Sequence, residues 1–275
     1  MSALHRTPGG TAWCEHGNPS ARPIVLVHGL GLTLGTWDDH IAALSADYRV
    51  IRYDLAGHGE SAVPARKPDL RLYAEQIVEL LDHLGIARAA VVGFSLGGMI
   101  NRRLVMDAPE RVVALGIFNS PHERGDAAQA LVEQRAADTA AGGPGATLDA
   151  TLERWFTSAF RQTETAWVER VKGWVLANDH QVYADCRWVL ANGVVELIRP
   201  EPAITAPTLV MTCEHDSGST PAMSEAIGSE IPGSTVHIVP GLQHMGLVEQ
   251  PDAFTNPTLT FLNALAESAW HGDKS

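Results

Sequence analysis

Apolar residues in this chain gather in short unbroken runs that leave through glycine-rich stretches, and helix-spaced apolar residues lie between the runs. Ile24-Val25-Leu26-Val27, Arg49-Val50-Ile51-Arg52-Tyr53, residues 89–92 and residues 112–118 are runs of strand length. Unbroken runs suit strands covered on both faces, where alternation of polar and apolar positions is not required. Tyr73, Ile77, Leu80, Leu81 and Leu84 recur at three and four positions, predicting an amphipathic helix stopped by Gly85. Shorter helices are predicted over 37–44 and over 99–106, the second ending before Pro109. Residues 3–15 alternate loosely around Gly9-Gly10 and read as a first hairpin. Strand and helix thus take turns, the signature of a parallel sheet with helices on both faces.

The pattern changes over 123–199, which is Ala-rich, strand-poor and carries Trp155, Trp167, Trp174 and Trp188. It reads as a helical insertion, with the tryptophans chiefly its core and their density suited to a small apolar pocket. Strand pattern returns at 207–213 and 235–239. A last helix then holds Phe254, Leu259, Phe261, Leu262 and Leu265, and Pro257 either opens a fresh helix capped by Asn256 or kinks a longer one. Residues 1–122 and 200–275 are therefore expected to form one core domain, and 123–199 a cap inserted into it.

Charge narrows the function classes. A net charge of −12 opposes nucleic acid and anionic membranes, both of which call for a basic footprint. No run is long enough to span a bilayer, the first eight residues lack an apolar signal region, and three scattered cysteines make no disulfide framework. A cytoplasmic protein acting on a small molecule is expected, with a homodimer as the candidate assembly.

The chemistry centres on Gly93-Phe94-Ser95-Leu96-Gly97, where strand gives way to helix and Ser95 falls at the turn. Flanking glycines allow a turn tight enough to lift the hydroxyl clear of the sheet. Asp216 and His244 also follow strands, and in an open parallel sheet residues just past the strands share one rim. A serine hydroxyl needs a base to take its proton, and the base needs a carboxylate to hold its tautomer. Ser95 as nucleophile, His244 as base and Asp216 as acid satisfy both needs, with Glu214 the competing acid. The backbone N–H groups of Leu30 and Leu96 are the candidate oxyanion donors. Candidate substrate contacts are His28, Gly29, His122 and Trp155, although His28 alone could simply brace its loop. Glu214-His215-Asp216 is a poor metal site, because adjacent residues rarely converge on one ion, and no metal is expected.

The segments His28-Gly29-Leu30-Gly31, Asp54-Leu55-Ala56-Gly57-His58-Gly59-Glu60-Ser61 and Gly93-Phe94-Ser95-Leu96-Gly97-Gly98-Met99-Ile100 resemble the α/β-hydrolase family. Leu152-Glu153-Arg154-Trp155-Phe156-Thr157 and Glu249-Gln250-Pro251 make the chain similar to its 3-oxoadipate enol-lactonase-like branch. The resemblance implies an α/β fold with an eight-stranded, mostly parallel sheet and an inserted helical cap, no cofactor, and hydrolysis of a lactone or ester. Cleavage of a C–C bond in a β-diketone is the alternative chemistry, and a hydrolase-fold small-molecule receptor is the alternative class. A substrate carboxylate would need a local cation, for which Arg154, Arg161, Arg170 and Arg187 are the cap candidates.

Overall fold

The computed structural model describes residues 3–271. Residues 1–2 and 272–275, the ends of the expected core domain, lie outside the described residues. β1 (His5–Arg6) and β2 (Ala12–His16) form the anticipated antiparallel hairpin. They are followed by β3 (Arg22–Val27), β4 (Tyr48–Tyr53), β5 (Ala89–Phe94), β6 (Val112–Phe118), β7 (Thr208–Cys213) and β8 (Thr235–Val239). The sheet runs β1-β2-β4-β3-β5-β6-β7-β8, and every pairing from β4 to β8 is parallel. All residues of β5, β6 and β7 are buried, which is why these strands read as continuous apolar runs. β8 closes the edge and exposes its first three residues.

Helices fill the crossovers. A 3-10 stretch, Leu34–His40, leads into α1 (Ile41–Leu44), so only the end of the helix expected over 37–44 is α-helical. α2 (Leu70–His83) starts a turn before the apolar stripe, because the Asp69 carboxylate caps it by accepting from Leu72 N–H at 2.7 Å. α3 (Leu96–Asp107) packs on α2 and on β5 and β6, and ends before Pro109.

Between β6 and β7 lie α4 (Asp126–Gly142), α5 (Leu148–Trp155), α6 (Ser158–Thr163), α7 (Thr165–Leu176) and α8 (His180–Asn192), with no strand among them. α4 packs along α8, and α5 and α6 each meet α7. The tryptophans do not all serve as core: Trp188 is 45% exposed, and Trp167 and Trp174 meet edge to face beneath the Arg170 guanidinium.

After β7 come α9 (Pro221–Glu230), α10 (Gly246–Glu249), α11 (Asp252–Asn263) and α12 (Ser268–His271). Of the two expectations for Pro257, the longer helix holds: α11 runs through it.

Three buried histidines, His28, His40 and His58, lie in this core, with Asp54 Oδ1 4.0 Å from His28 Nε2. Burial pushes His28 and His40 down to about 4, and burial together with the neighbouring His28 pushes His58 down to about 3. His40 ties the 3-10 stretch to the C-terminal helices, its ring meeting Thr255 Oγ1 at 2.7 Å and Leu247 O at 3.1 Å. Released by unfolding, each imidazole takes a proton near its ordinary 6.5, so below that pH the unfolded chain binds more protons. Stability therefore falls as pH drops from about 6.5 towards 4, with a slope approaching ~1.4 kcal/mol per pH unit for each histidine. Thermal melts over that range should show a steep fall in Tm, and His40→Gln should make the fall shallower. An unchanged slope in that variant contradicts the assignment.

Candidate active site

Ser95 sits between β5 and α3 with φ 55° and ψ −113°, a region that costs a non-glycine residue about 1–3 kcal/mol. The turn is held by the Ser95 N–H, which donates to Phe118 O at 2.8 Å, and by the Ser95 carbonyl, which accepts from Gly98 N–H at 3.0 Å. A Cβ at Gly93 would collide with the Gly97 carbonyl, and one at Gly97 with the Val27 carbonyl. No side chain larger than hydrogen fits either side of this serine.

Asp216 leaves the loop after β7, and His244 the loop after β8. His244 Nδ1 lies 2.6 Å from Asp216 Oδ2, which also accepts from Asn119 Nδ2 at 2.9 Å. The other carboxylate oxygen accepts from the N–H groups of Gly218 and Ser219, both at 2.9 Å. Burial by itself would raise the Asp216 carboxyl; the charge and bond of His244, with the donors Asn119 and Ser219, outweigh it and hold the group below its ordinary value. Asn119 stands at the end of β6 with φ 45°. Its role was not anticipated, and an asparagine just past a buried strand, able to adopt positive φ, was the available signal. Glu214 is about half exposed and accepts from Gly241 N–H at 2.9 Å, away from His244.

Ser95, Asp216 and His244 line one cavity with Leu30, Pro121, Trp155 and Leu190. The Trp155 ring lies 5.8 Å from that of His244, centre to centre. The cavity is not the apolar aromatic pocket expected, because Arg124, Arg135, Arg154 and Arg187 also line it. Of the cap arginines singled out in the sequence, Arg154 and Arg187 reach it; Arg161 is not among its lining residues, and Arg170 pairs instead with Asp38. Arg124 and Arg135 were missed: α4 buries only Ala136 and Thr139, so it has no apolar stripe from which to phase its polar faces.

Three of the four expected substrate contacts, His28, Gly29 and His122, do not line the cavity. His28 is fully buried, its Nε2 accepting from Leu55 N–H at 3.0 Å and its Nδ1 2.8 Å from Gly29 O, so it braces the loop before Leu30. His122 is buried with Nε2 3.1 Å from Glu230 Oε1. Gly29 lies behind Ser95, where a Cβ would stand 3.1 Å from the serine's own Cβ. Among the described residues, no three His, Cys, Asp or Glu side chains are grouped to hold a metal ion, and no helix is long and apolar enough to cross a membrane.

Residues 24–256 match the Alpha/beta hydrolase family. The chain belongs to this family. Within it, the chain is 30% identical over 251 residues to 3-oxoadipate enol-lactonase 2 of Acinetobacter baylyi, covering 89% of this chain and 90% of that protein. It is 27% identical over 230 residues to (E)-2-((N-methylformamido)methylene)succinate hydrolase of the same organism, covering 84% and 86%. The crystal structure of the enol-lactonase from Burkholderia xenovorans LB400 superposes with a TM-score of 0.86 at 29% identity, covering 95% of this chain and all of that one.

This alpha/beta hydrolase ties its inserted helices to the loop that bears His244. Met245 N–H, the next along the chain, donates to Trp155 O at 2.8 Å. One turn further, the Glu249 carboxylate accepts from Thr157 N–H at 2.8 Å and from Thr157 Oγ1 at 2.6 Å.

Proposed function

We propose that the protein is a serine hydrolase that opens an ester or lactone bond of a small metabolite through an acyl-enzyme. The observation that carries this reading is the 2.6 Å contact of His244 with a buried, four-times hydrogen-bonded Asp216, in the cavity that Ser95 also lines. His244 Nε2 takes the proton as Ser95 Oγ adds to the carbonyl carbon, and Asp216 stabilises the imidazolium. Among the described residues, neither the Leu30 N–H nor the Leu96 N–H donates a hydrogen bond, and Leu30 lines the cavity. Both donors are thus available to the negative oxygen of the tetrahedral intermediate. Collapse of that intermediate breaks the C–O bond, and the imidazolium protonates the leaving oxygen. Water, deprotonated by His244, then releases the acid from Ser95.

Similarity to proteins named as enol-lactonases supports a lactone or ester rather than an amide. A panel of lactones, esters and 1,3-diketones tests the reading, together with labelling by a serine-directed phosphonate. Expected are multiple turnovers on lactones or esters and a phosphonate adduct on Ser95. Turnover of diketones alone, a single slow turnover, or an adduct on another residue overturns it.

A further inference from the structure

The arginines over the cavity differ from most others in the chain. Arg49, Arg52, Arg103 and Arg111 each face a carboxylate. Among the described residues, Arg124, Arg135, Arg154 and Arg187 form no ion pair, although Asp and Glu outnumber Lys and Arg by 32 to 20. They converge from separate places: Arg124 precedes α4, Arg135 is on α4, Arg154 on α5 and Arg187 on α8.

Their backbone partners set them rather than neutralise them. Arg124 donates to the carbonyls of Leu190 and Ala191 near the end of α8, and Arg154 to Ala150 O and Thr151 Oγ1. Arg187 is buried, and its Nε has no partner among the described residues. Burial and then the charge of Arg187 lower Arg135; burial and then the charges of Arg135 and Arg187 push Arg154 down to about 10. Like charges are therefore held together in a half-dry space where the Asp216 carboxylate, which raises Arg154 least of the causes acting on it, is already engaged by His244 and Asn119, an arrangement that a bound anion relieves. One carboxylate matches the fork of one arginine bidentately, its two oxygens taking two parallel N–H groups.

Resting on the hydrolase reading, we propose that the substrate carries two anionic groups besides the bond that is cleaved, and that Arg135, Arg154 and Arg187, with Arg124 beside them, seat those groups. Spread over three helices, the cluster suits two carboxylates; a phosphate monoester presents the same double charge from one centre.

Three p-nitrophenyl esters test the charge count: the butyrate, with no further charge, the succinate monoester, with one, and the tricarballylate monoester, with two. The kcat/KM should rise about tenfold or more with each charge, the range a charged hydrogen bond supplies. Arg154→Gln and Arg187→Gln should each cut the two-charge to no-charge ratio by about ten- to a hundredfold. Should a glutamine variant fail to fold, Arg187→Lys retains the charge, loses the fork and should still reduce the ratio. Competitive inhibition by tricarballylate but not by inorganic phosphate identifies carboxylates, and the converse a phosphate; inhibition by neither overturns the proposal. Butyrate hydrolysed as well as the two-charge ester, and abolished in Ser95→Ala, also overturns it while leaving the hydrolase reading intact. No Ser95-dependent hydrolysis of any ester removes the hydrolase reading instead. Calorimetric binding of tricarballylate, weakened in Arg187→Gln, would then still uphold the arginine site, and no binding would overturn it.

Discussion

Replacing Ser95 by alanine is expected to lower turnover by roughly 10⁶ while the protein stays folded, the scale on which removal of a triad nucleophile acts. The fold should survive because the bonds that hold the turn come from the backbone of Ser95, through its N–H to Phe118 and its carbonyl to Gly98. Alanine inherits the same strained φ and the same small volume. His244→Ala should cost about as much, and the double variant little more than either, because in the proposed reaction the two residues act on one proton in one step. Melting curves that match wild type within a few degrees, alongside single-turnover rates for the three variants, make the comparison. Losses that multiply in the double variant would show that the two residues act independently, which the mechanism forbids.

Asp216→Asn is the second large effect, expected at about 10⁴ in turnover. The amide has the shape of the carboxylate, and the N–H groups of Gly218 and Ser219 can still be accepted by its oxygen. The atom facing His244 Nδ1 and Asn119 Nδ2 would then be an NH₂ group, a donor set against donors. Escape from that conflict is a turned imidazole or the wrong tautomer, and either removes the base from Ser95. Glu214→Gln lies in the same loop but, half exposed, accepts from Gly241 N–H and stands 3.9 Å from the exposed His215 ring, so it should leave turnover within about twofold, as surface substitutions usually do. Measured side by side on one ester, the two variants locate the acid. A larger loss in Glu214→Gln would move it two residues upstream.

The sheet was legible in the sequence because its strands are buried on both faces, so β3 and β5 appear as uninterrupted apolar runs that need no phase to be recognised. The elbow was legible because steric rules leave glycine as the sole choice at positions 93 and 97. α9 was not anticipated: it buries only Ser224 and Ile227, too little for an apolar stripe, and its clearest mark is the Thr220-Pro221 start, with Thr220 capping Met223 N–H. The arginine-lined cavity was half legible. Arg154 and Arg187 stand on helices with buried faces that fix their direction, whereas Arg124 precedes a helix, and Arg135 lies on one, whose packing is set by α8 rather than by its own pattern. His28 and His122 illustrate the opposite error, in which a polar residue beside the rim turns inward, His28 to brace its own loop and His122 to face Glu230.

The bonds from Met245 to Trp155 and from Glu249 to Thr157 bear on how this enzyme can be re-engineered. Grafting foreign helices in place of residues 123–199 leaves Ser95, Asp216 and His244 with the host. The donor's equivalents of Trp155 and Thr157 would nonetheless have to match a carbonyl and a hydroxyl to positions one and five residues beyond His244, the second at the end of α10. A chimera that ignores this seam should bind its new substrate yet turn it over slowly, its base held in a loop that has lost its anchors. Moving residues 123–199 together with residues 245–249 keeps both sides of the joint from the same parent.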